Sequence, residues 1–406
     1  MTVADLLVTS IAGGIAAPAG FRAAGVACGI KKAGLDLALV ATDAPVPAAA
    51  VFTTNKAQAA PVIISKSHLE LSQGRARAVV INSGCANACT GAEGMATARA
   101  MAASTAERLG CDATDVLVAS TGVIGVLLDR DRTVHGISAA AAALAREGGS
   151  AAASAIMTTD PFPKEAAVEV TTAGGRFRVG GMAKGSGMIE PMMATMLAVV
   201  TTDAKVSAGV LQRALNAVTD VTFNAISVDG ECSTNDCVFA LASGASGVML
   251  GESDVPVLAE ALRHVCEPLA IGIVRGGEGA TKVVTIEVTG ARSPDEARRA
   301  ARAIANSPLV KTAIHGADPN WGRLVAVAGR AGVDFDLENA RVQIGGVELF
   351  AHGRPFDERS AEASQHLQGN EVTLRVDLGT NGPGAARMWT CDLSAEYVRI
   401  NAEYRT

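Results

Sequence analysis

The stretch GGMAKGSGMIEPMMATMLAVVTTDA, Gly180 to Ala204, decides how the rest of this chain is read. Glycines without a Cβ allow close backbone approach, so Gly180 to Gly187 reads as a loosened loop. Met196 to Val200 is apolar and β-prone and runs into Thr201, Thr202 and Asp203, which reads as a buried strand. Thr195 stands where the loop enters the strand. On spacing alone it is an ordinary strand-edge threonine, because the local sequence puts no base beside its hydroxyl. A chain cut just before it would instead make it an N-terminal nucleophile, and the surrounding chain has to decide between the two.

Composition narrows the field. The chain has 406 residues, 49% of them hydrophobic but only 3% aromatic, so its core must be packed from Ala, Val, Leu, Ile and Met. Such a length makes two domains the default and leaves room for three. A formal charge of −6 and the lack of any dense Lys/Arg block exclude a nucleic-acid footprint. No apolar run reaches the length of a membrane-spanning helix. The first twenty residues carry no Lys or Arg before Arg22 and place Asp5 where a signal peptide wants positive charge. The expectation is a soluble, cytoplasmic protein with no membrane partner. Eight scattered cysteines lack the density of a disulfide scaffold and read as reduced, mostly buried thiols.

Taken in order, Arg77 to Asn82 reads as a strand and Ala92 to Leu109 as a helix closed by Gly110. Val116 to Ser120 is a second strand, turned by Thr121-Gly122 and followed by a helix from about Ser138 to Arg146. Alternation of this kind gives an α/β layered domain. A hairpin about Gly174-Gly175 delivers the chain into the opening stretch. Ser207 to Val221 and Val255 to Leu269 read as helices, with Ala225 to Asp229 a strand between them. Beyond Lys282 the pattern restarts: an alternating strand to Thr289, then Ser293-Pro294-Asp295-Glu296, a capping box with proline at the first helical position. A domain boundary is placed near residue 280, dividing the chain into 1–280 and 281–406. Thr-Thr-Asp occurs twice, at 158–160 and 201–203.

The candidate chemistry is sparse. Arg275 to Lys282 (RGGEGATK) and Gly181 to Gly187 are glycine-rich but match neither a P-loop nor a dinucleotide fingerprint. The pairs Cys85/Cys89 and Cys232/Cys237 do not have the companion spacing of structural zinc, and the six histidines show no ligand spacing, so no metal and no cofactor are expected. Cys85 and Cys89 have no cationic neighbour in sequence to activate a thiol. The Thr121-Gly122 turn can offer backbone N–H groups to developing negative charge, as can any strand-ending turn. Lys184 suits a substrate carboxylate but taken alone reads as a solvated loop lysine. Glu278 suits an ammonium ligand or open water.

Ten segments in order nevertheless resemble one family, the ornithine acetyltransferase (glutamate N-acetyltransferase, ArgJ) family. They include PAGFRAAGV (Pro18–Val26), VFTTNKAQAAPV (Val51–Val62), NSGCANACTG (Asn82–Gly91), STGVIG (Ser120–Gly125) and IMTTDPFPK (Ile156–Lys164). GGMAKGSGMI and ATMLA around Thr195, RGGEGATK, HGADPNWGR (His315–Arg323) and the terminal YVRINAEYRT complete the set. The resemblance implies a self-processing fold of two domains with the active site between them. It implies cleavage at Ala194-Thr195 into an α chain, 1–194, and a β chain, 195–406, associating as α2β2. Thr195 would then be nucleophile and, through its new α-amine with a pKa near 8, its own base. The implied reaction moves acetyl from N-acetylornithine to glutamate by a ping-pong acetyl-enzyme, with acetyl-CoA an optional co-substrate.

By the same carry-over Thr121 and Gly122 form the oxyanion hole, and Thr158, Lys184, Thr195, Glu278, Asn401 and Thr406 contact substrate. Cys85 and Met192 stand where the family often has asparagine, and Glu190 where it often has His or Ala; Met192, three residues before the scissile bond, bears on the rate of self-cleavage. Two other classes fit parts of the chain: an aminopeptidase or amidohydrolase of the related self-processing fold, and a non-catalytic amino-acid-binding protein that keeps Lys184 and Glu278 without cutting itself.

Overall fold

The computed structural model describes residue 3, residues 6–190 and residues 196–403. The chain divides into two compact units. One is built from residues up to Asn224 together with Glu231–Ile273, the other from Ala225–Gly230 together with the chain from Val274 on.

In chain order the strands of the first unit are β1 (Leu7–Ser10), β2 (Arg22–Val26), β3 (Leu37–Phe52), β4 (Arg75–Cys85), β5 (Val116–Val123), β6 (Lys164–Thr172), β7 (Gly175–Lys184) and β8 (Leu197–Thr202). The short β9 (Ile226–Ser227) belongs to the second unit, and β10 (Cys237–Ala242) returns to the first. The sheet runs β1-β6-β7-β8-β10-β3-β4-β5, with β2 also on β3. The pairs β8/β10 and β4/β5 are parallel and the rest of the ladder is antiparallel. The sixteen-residue β3 pairs with β2 through Leu37–Ala41, with β4 on both sides of a register shift between Ala41 and Val46, and with β10 through Ala48–Phe52.

The central strands read as unbroken apolar runs because both faces of the sheet are covered. Along β3, Leu37 and Leu39 enter one core cluster and Ala38 and Val40 the other, and β4 and β5 alternate in the same way. The helices Ala60–Leu71, Gly91–Leu109 and Arg130–Ala142 contribute the cover of the first cluster, and Gly149–Ala155 that of the second. Most of the core residues that these helices contribute are alanines, which allows the helices to lie close to the sheet in a chain so poor in rings. Phe239 is an exception, fully buried and edge-on to Phe52 at 5.9 Å between centroids.

Several local expectations hold in type and move in extent, and one changes type. Gly180 to Lys184 is strand, not loop: β7 is paired with β6 as far as Ala183 and with β8 as far as Lys184. Its glycines serve close packing rather than looseness, since a Cβ on Gly181 would sit 2.7 Å from Val265 Cγ1. The helix expected from Ser138 begins at Arg130, capped by Asp129, which accepts the Arg132 amide. The helix from Val255 continues through Pro268 to Arg275, its buried stripe from Val257 to Ile273 outweighing the lost backbone bond. Only Ile226 and Ser227 of the strand expected at Ala225–Asp229 form one, and they pair with the second sheet, which is why this segment joins the second unit and the division in the helix falls at Ile273/Val274.

In the second unit the strands are β11 (Val283–Ala291), β12 (Arg341–Ile344), β13 (Val347–Ala351), β14 (Arg354–Pro355), β15 (Glu371–Asp377) and β16 (Gly384–Cys391). Their order is β14-β13-β12-β15-β11-β16-β9. Ser293 caps the helix Pro294–Ala305 by accepting from the Glu296 amide, while the Glu296 carboxylate takes the Arg292 amide, one residue earlier than a capping box would have it. Ala297, Ala300, Ala301 and Ile304 form the helix's fully buried stripe. Ser307 and Asn320 cap the next two helices in the same way.

Truncating Phe239 to alanine would open a cavity that β-sheet neighbours on both sides cannot collapse into. A loss of about 3–5 kcal/mol is expected in chemical denaturation; a loss below about 1 kcal/mol would mean that the core closes around the missing ring.

Candidate active site

The parallel ends of β4 and β5 are pinched together. The register is regular as far as Ser83 opposite Thr121 and Gly84 opposite Gly122, then Cys85 pairs with both Thr121 and Val123. Gly122 has φ +128°, and a Cβ there would lie 2.6 Å from the Cys85 nitrogen; no side chain fits. Two backbones therefore meet at Thr121-Gly122 with nothing between them.

Beneath this point lies a network of buried amides. Ser120 Oγ donates to Asn82 Oδ1, and Asn82 Nδ2 donates to the Cys85 carbonyl. Asn235 Nδ2 donates to the carbonyls of Ala86 and Ser120, with Thr234 Oγ1 donating to Asn235 Oδ1. Asn235 thus holds the oxygen of the peptide whose N–H belongs to Thr121, which fixes the plane of that peptide.

The Thr121 side chain is met by Lys184, whose Nζ donates to Thr121 Oγ1 at 3.2 Å. Lys184 is the last residue of β7 and only 8% exposed, so the reading of it as a solvated loop lysine is set aside. A hydroxyl that accepts from an ammonium has its own proton left to donate elsewhere, and is the stronger donor for it.

The charge beside Lys184 is Asp160, in the Thr158-Thr159-Asp160-Pro161 corner. Its Oδ1 accepts from Lys164 Nζ at 2.6 Å and from the Gly185 amide at 2.7 Å, and its Oδ2 from the Thr158 amide at 3.0 Å. Burial works against its charged form, but the ammoniums of Lys184 and Lys164 and these hydrogen bonds outweigh it and hold Asp160 down at about 2. One carboxylate therefore positions Thr158, the start of β6 and the end of β7. The other Thr-Thr-Asp does comparable work: Asp203 accepts from the amides of Arg178 and Ala19.

Cys85 is buried, its thiol pushed up by burial and donating to the Val126 carbonyl, so it is a packed small residue and no nucleophile. Cys89 is exposed, against the expectation of a buried thiol. Among the described residues no group of three metal-ligating side chains gathers, and no helix is long and apolar enough to cross a membrane.

In the second unit Glu278 is 5% exposed, which removes the open-water reading, and its Oε2 accepts from Asn401 Nδ2 at 2.8 Å. The C-terminal helix Ala395–Glu403 is clamped to the glycine loop that carries Glu278. Ser394 Oγ donates to the Gly279 carbonyl, and Gly279, at φ +68°, comes so close to Tyr397 that a Cβ would lie 2.5 Å from its amide nitrogen. Asp392, fully buried at its side chain, accepts from the amides of Thr281 and Lys282, from Thr281 Oγ1 and from His315 Nδ1. Burial opposes its charge, but those donors keep it below the usual carboxylate range. His315 is accordingly the partner of a structural carboxylate.

Of the residues singled out from sequence, Thr121, Gly122, Thr158 and Lys184 come together in the first unit through Asp160, and Glu278 and Asn401 meet in the second. Ala194, Thr195 and Thr406, with Met192, lie outside the described residues. Asp160, Lys164 and Asn235 were missed as site residues. The repeated Thr-Thr-Asp was a signal for the first; nothing local marks Asn235, which acts across more than a hundred residues of sequence.

A model described as the ArgJ family matches residues 22–406. The chain is 48% identical over 402 residues to the Arginine biosynthesis bifunctional protein ArgJ of Symbiobacterium thermophilum, covering 98% of this chain and 99% of that one. To the protein of the same name from Chlorobaculum tepidum it is 49% identical over 394 residues, 96% of each. Among solved structures, the ornithine acetyltransferase of Mycobacterium tuberculosis complexed with ornithine is 43% identical and covers 46% of this chain and 100% of that chain, with a TM-score of 0.43. The family model and the full-length relatives define a protein of the arginine-biosynthesis class. The chain belongs to the ArgJ family.

Asp160→Asn leaves Lys164 buried without its counter-ion, so a loss of roughly 3–5 kcal/mol is expected near neutral pH. Asp160 titrates lower folded than unfolded, so its contribution is present above about pH 4 and fades as pH falls toward 2. The gap in denaturation midpoint between wild type and Asp160→Asn should therefore narrow on acidification from pH 6 to 3; a gap that is constant over that range would remove the charge from the explanation.

Proposed function

We propose that this enzyme transfers the acetyl group of N-acetylornithine to glutamate through an acetyl-threonine at Thr195, after cutting its own chain between Ala194 and Thr195. The observation that carries the reading is the Lys184–Thr121 hydrogen bond: a hydroxyl polarised by a buried ammonium at a sheet end where glycines let backbones converge. Membership of the ArgJ family supports the same reaction.

In the proposed cycle the α-amine of Thr195 takes the proton from its own Oγ as the oxygen attacks the acetyl carbonyl. The tetrahedral oxyanion is stabilised by the Thr121 hydroxyl and the backbone at Gly122, donors fixed before the charge develops. Collapse breaks the C–N bond, and the ornithine nitrogen leaves with the proton that the α-amine had taken. The glutamate α-amine then attacks the acetyl ester, and its proton returns through the Thr195 amine to Oγ as N-acetylglutamate departs. Lys184 and Thr158 suit the α-carboxylate that both substrates share. Glu278, held by Asn401, suits the side-chain ammonium of ornithine, and Thr406 completes the substrate contacts. The two fragments associate as α2β2, and acetyl-CoA can serve as an alternative donor.

Purified protein given N-acetylornithine and glutamate should form N-acetylglutamate and ornithine in equal amounts. Release of free acetate instead would make it a hydrolase of the self-processing kind, and an acetyl-CoA assay decides between bifunctional and recycling members. Denaturing electrophoresis of active enzyme should give two bands, one with threonine at its N-terminus, and Thr195→Ala should remain a single inactive chain; active enzyme running as one intact band would end the mechanism.

Deleting residues 401–406 removes Asn401 from Glu278, and should cut turnover by at least tenfold with little change in melting temperature. Near-normal turnover by the truncated protein would show that the C-terminus takes no part in the reaction.

A further inference from the structure

Lys31 lies outside every role assigned so far, yet its side chain runs over the candidate oxyanion strands. A Cβ on Gly84, the residue paired with Gly122, would sit 2.7 Å from Lys31 Cγ. The chain ends at Lys31 Nζ, which donates to the carbonyl of Met157 at 2.9 Å, one peptide before Thr158. The ammonium is close enough to Asp160 and Lys184 for both charges to act on it.

The backbone of Lys31 is held from below. Asp36, fully buried, accepts the amides of Cys28, Ile30 and Lys31, at 2.7, 2.7 and 3.0 Å. Three buried-carboxylate bonds for one four-residue turn leave the base of the side chain little freedom. A lysine anchored in this way is aimed, whereas a solvated lysine would sweep many rotamers.

The charges do not balance. Among the described residues, Lys31, Lys164 and Lys184 face two carboxylates, Asp36 and Asp160, which leaves one net positive charge around a half-buried Lys31 and a buried Lys184. Asp36 is engaged by three amides, and Asp160 by two amides and Lys164. Among the described residues, Lys31 Nζ and Lys184 Nζ each donate to one neutral oxygen only, those of Met157 and Thr121. Each ammonium has three N–H groups, so two on each remain for a ligand, and a carboxylate offers about four lone-pair sites. Burial pulls the Lys31 ammonium below its ordinary value, with Lys184 adding to that and Asp36 and Asp160 opposing. An arriving anion would offset that cost.

We infer that Lys31 and Lys184 form a two-ammonium clamp for the α-carboxylate common to donor and acceptor, with Lys31 a substrate-binding residue of this site. The inference rests on the acetyl-transfer reading, and it assigns to one carboxylate two cations where that reading had one. A clamp on the shared group explains how one site serves two substrates whose side chains carry opposite charges: the α-carboxylate is held identically in both half-reactions.

The test compares wild type with Lys31→Met and Lys31→Gln, with both variants checked for unchanged melting temperature and self-cleavage. Each should raise KM for N-acetylornithine and for glutamate alike, by about 10- to 100-fold, while kcat moves less than about threefold. With the decarboxylated donor N-acetylputrescine, the kcat/KM ratio of wild type to variant should shrink to within about threefold. An unchanged KM overturns the clamp, as does a rise confined to glutamate, which would put Lys31 on the γ-carboxylate. An equal loss with both donors overturns it too, because the lysine would then act on the reacting carbonyl or the fold. If wild type shows no transfer at all, the acetyl-transfer reading fails; binding of ornithine and of glutamate by calorimetry, weakened about 10- to 100-fold in both variants, then still supports the clamp and unweakened binding ends it.

Discussion

The buried carboxylate of Asp160 is the interaction on which the candidate site depends. An ionised group taken out of water is retained only when several donors converge on it, and Asp160 collects Lys164, the Gly185 amide and the Thr158 amide. Because those donors sit on three different segments, satisfying one charge fixes three backbones at once. The end of β7 is one of them, so the position of Lys184 follows from Asp160, and the polarisation of the Thr121 hydroxyl follows from Lys184. A neutral residue at 160 would leave that sequence of dependencies without its first member.

The small side chains of this protein have a related consequence. Alanine and glycine let backbones and helices approach where larger residues would hold them apart, and at Gly84 and Gly122 two strand ends converge under a single lysine stem. Rigidity there comes from buried amide side chains, Asn82 and Asn235 above all, since rings are too few to supply it. The second unit uses the same economy: a glycine loop brings Glu278 close to a helix, and one buried aspartate, Asp392, ties the loop to His315 and Thr281.

Sequence pattern carried much of this. The alternating strand after Lys282 and the serine-proline helix start at Ser293 are local events governed by side-chain period and capping, and they appear where the residues put them, whereas the turn expected at Thr121-Gly122 is still ladder, because pairing with Ser83 and Gly84 of β4 carries β5 on to Val123. Glycines misled. Gly180 and Gly181 suggested a loop, yet they are ladder residues whose missing Cβ makes room for a helix, and whether a glycine loosens a chain or admits a neighbour depends on what stands opposite it. Lys184 and Glu278 were ambiguous for the same reason, since burial is a property of surroundings.

By itself the sequence determined the family, the α/β class, the low aromatic content of the core and the residue types available for acyl transfer, because ordered motifs and hydrophobic period are written in the order of residues. Only the tertiary structure decided that Asp160 is the shared counter-ion, that Asn235 holds the Ser120 peptide, that Asn401 reaches Glu278, and that Lys31 ends beside Thr158. Each of these joins residues distant in sequence or turns on burial, and hydrogen-bond partners across such separations are chosen by how the sheets close rather than by any neighbour in the chain.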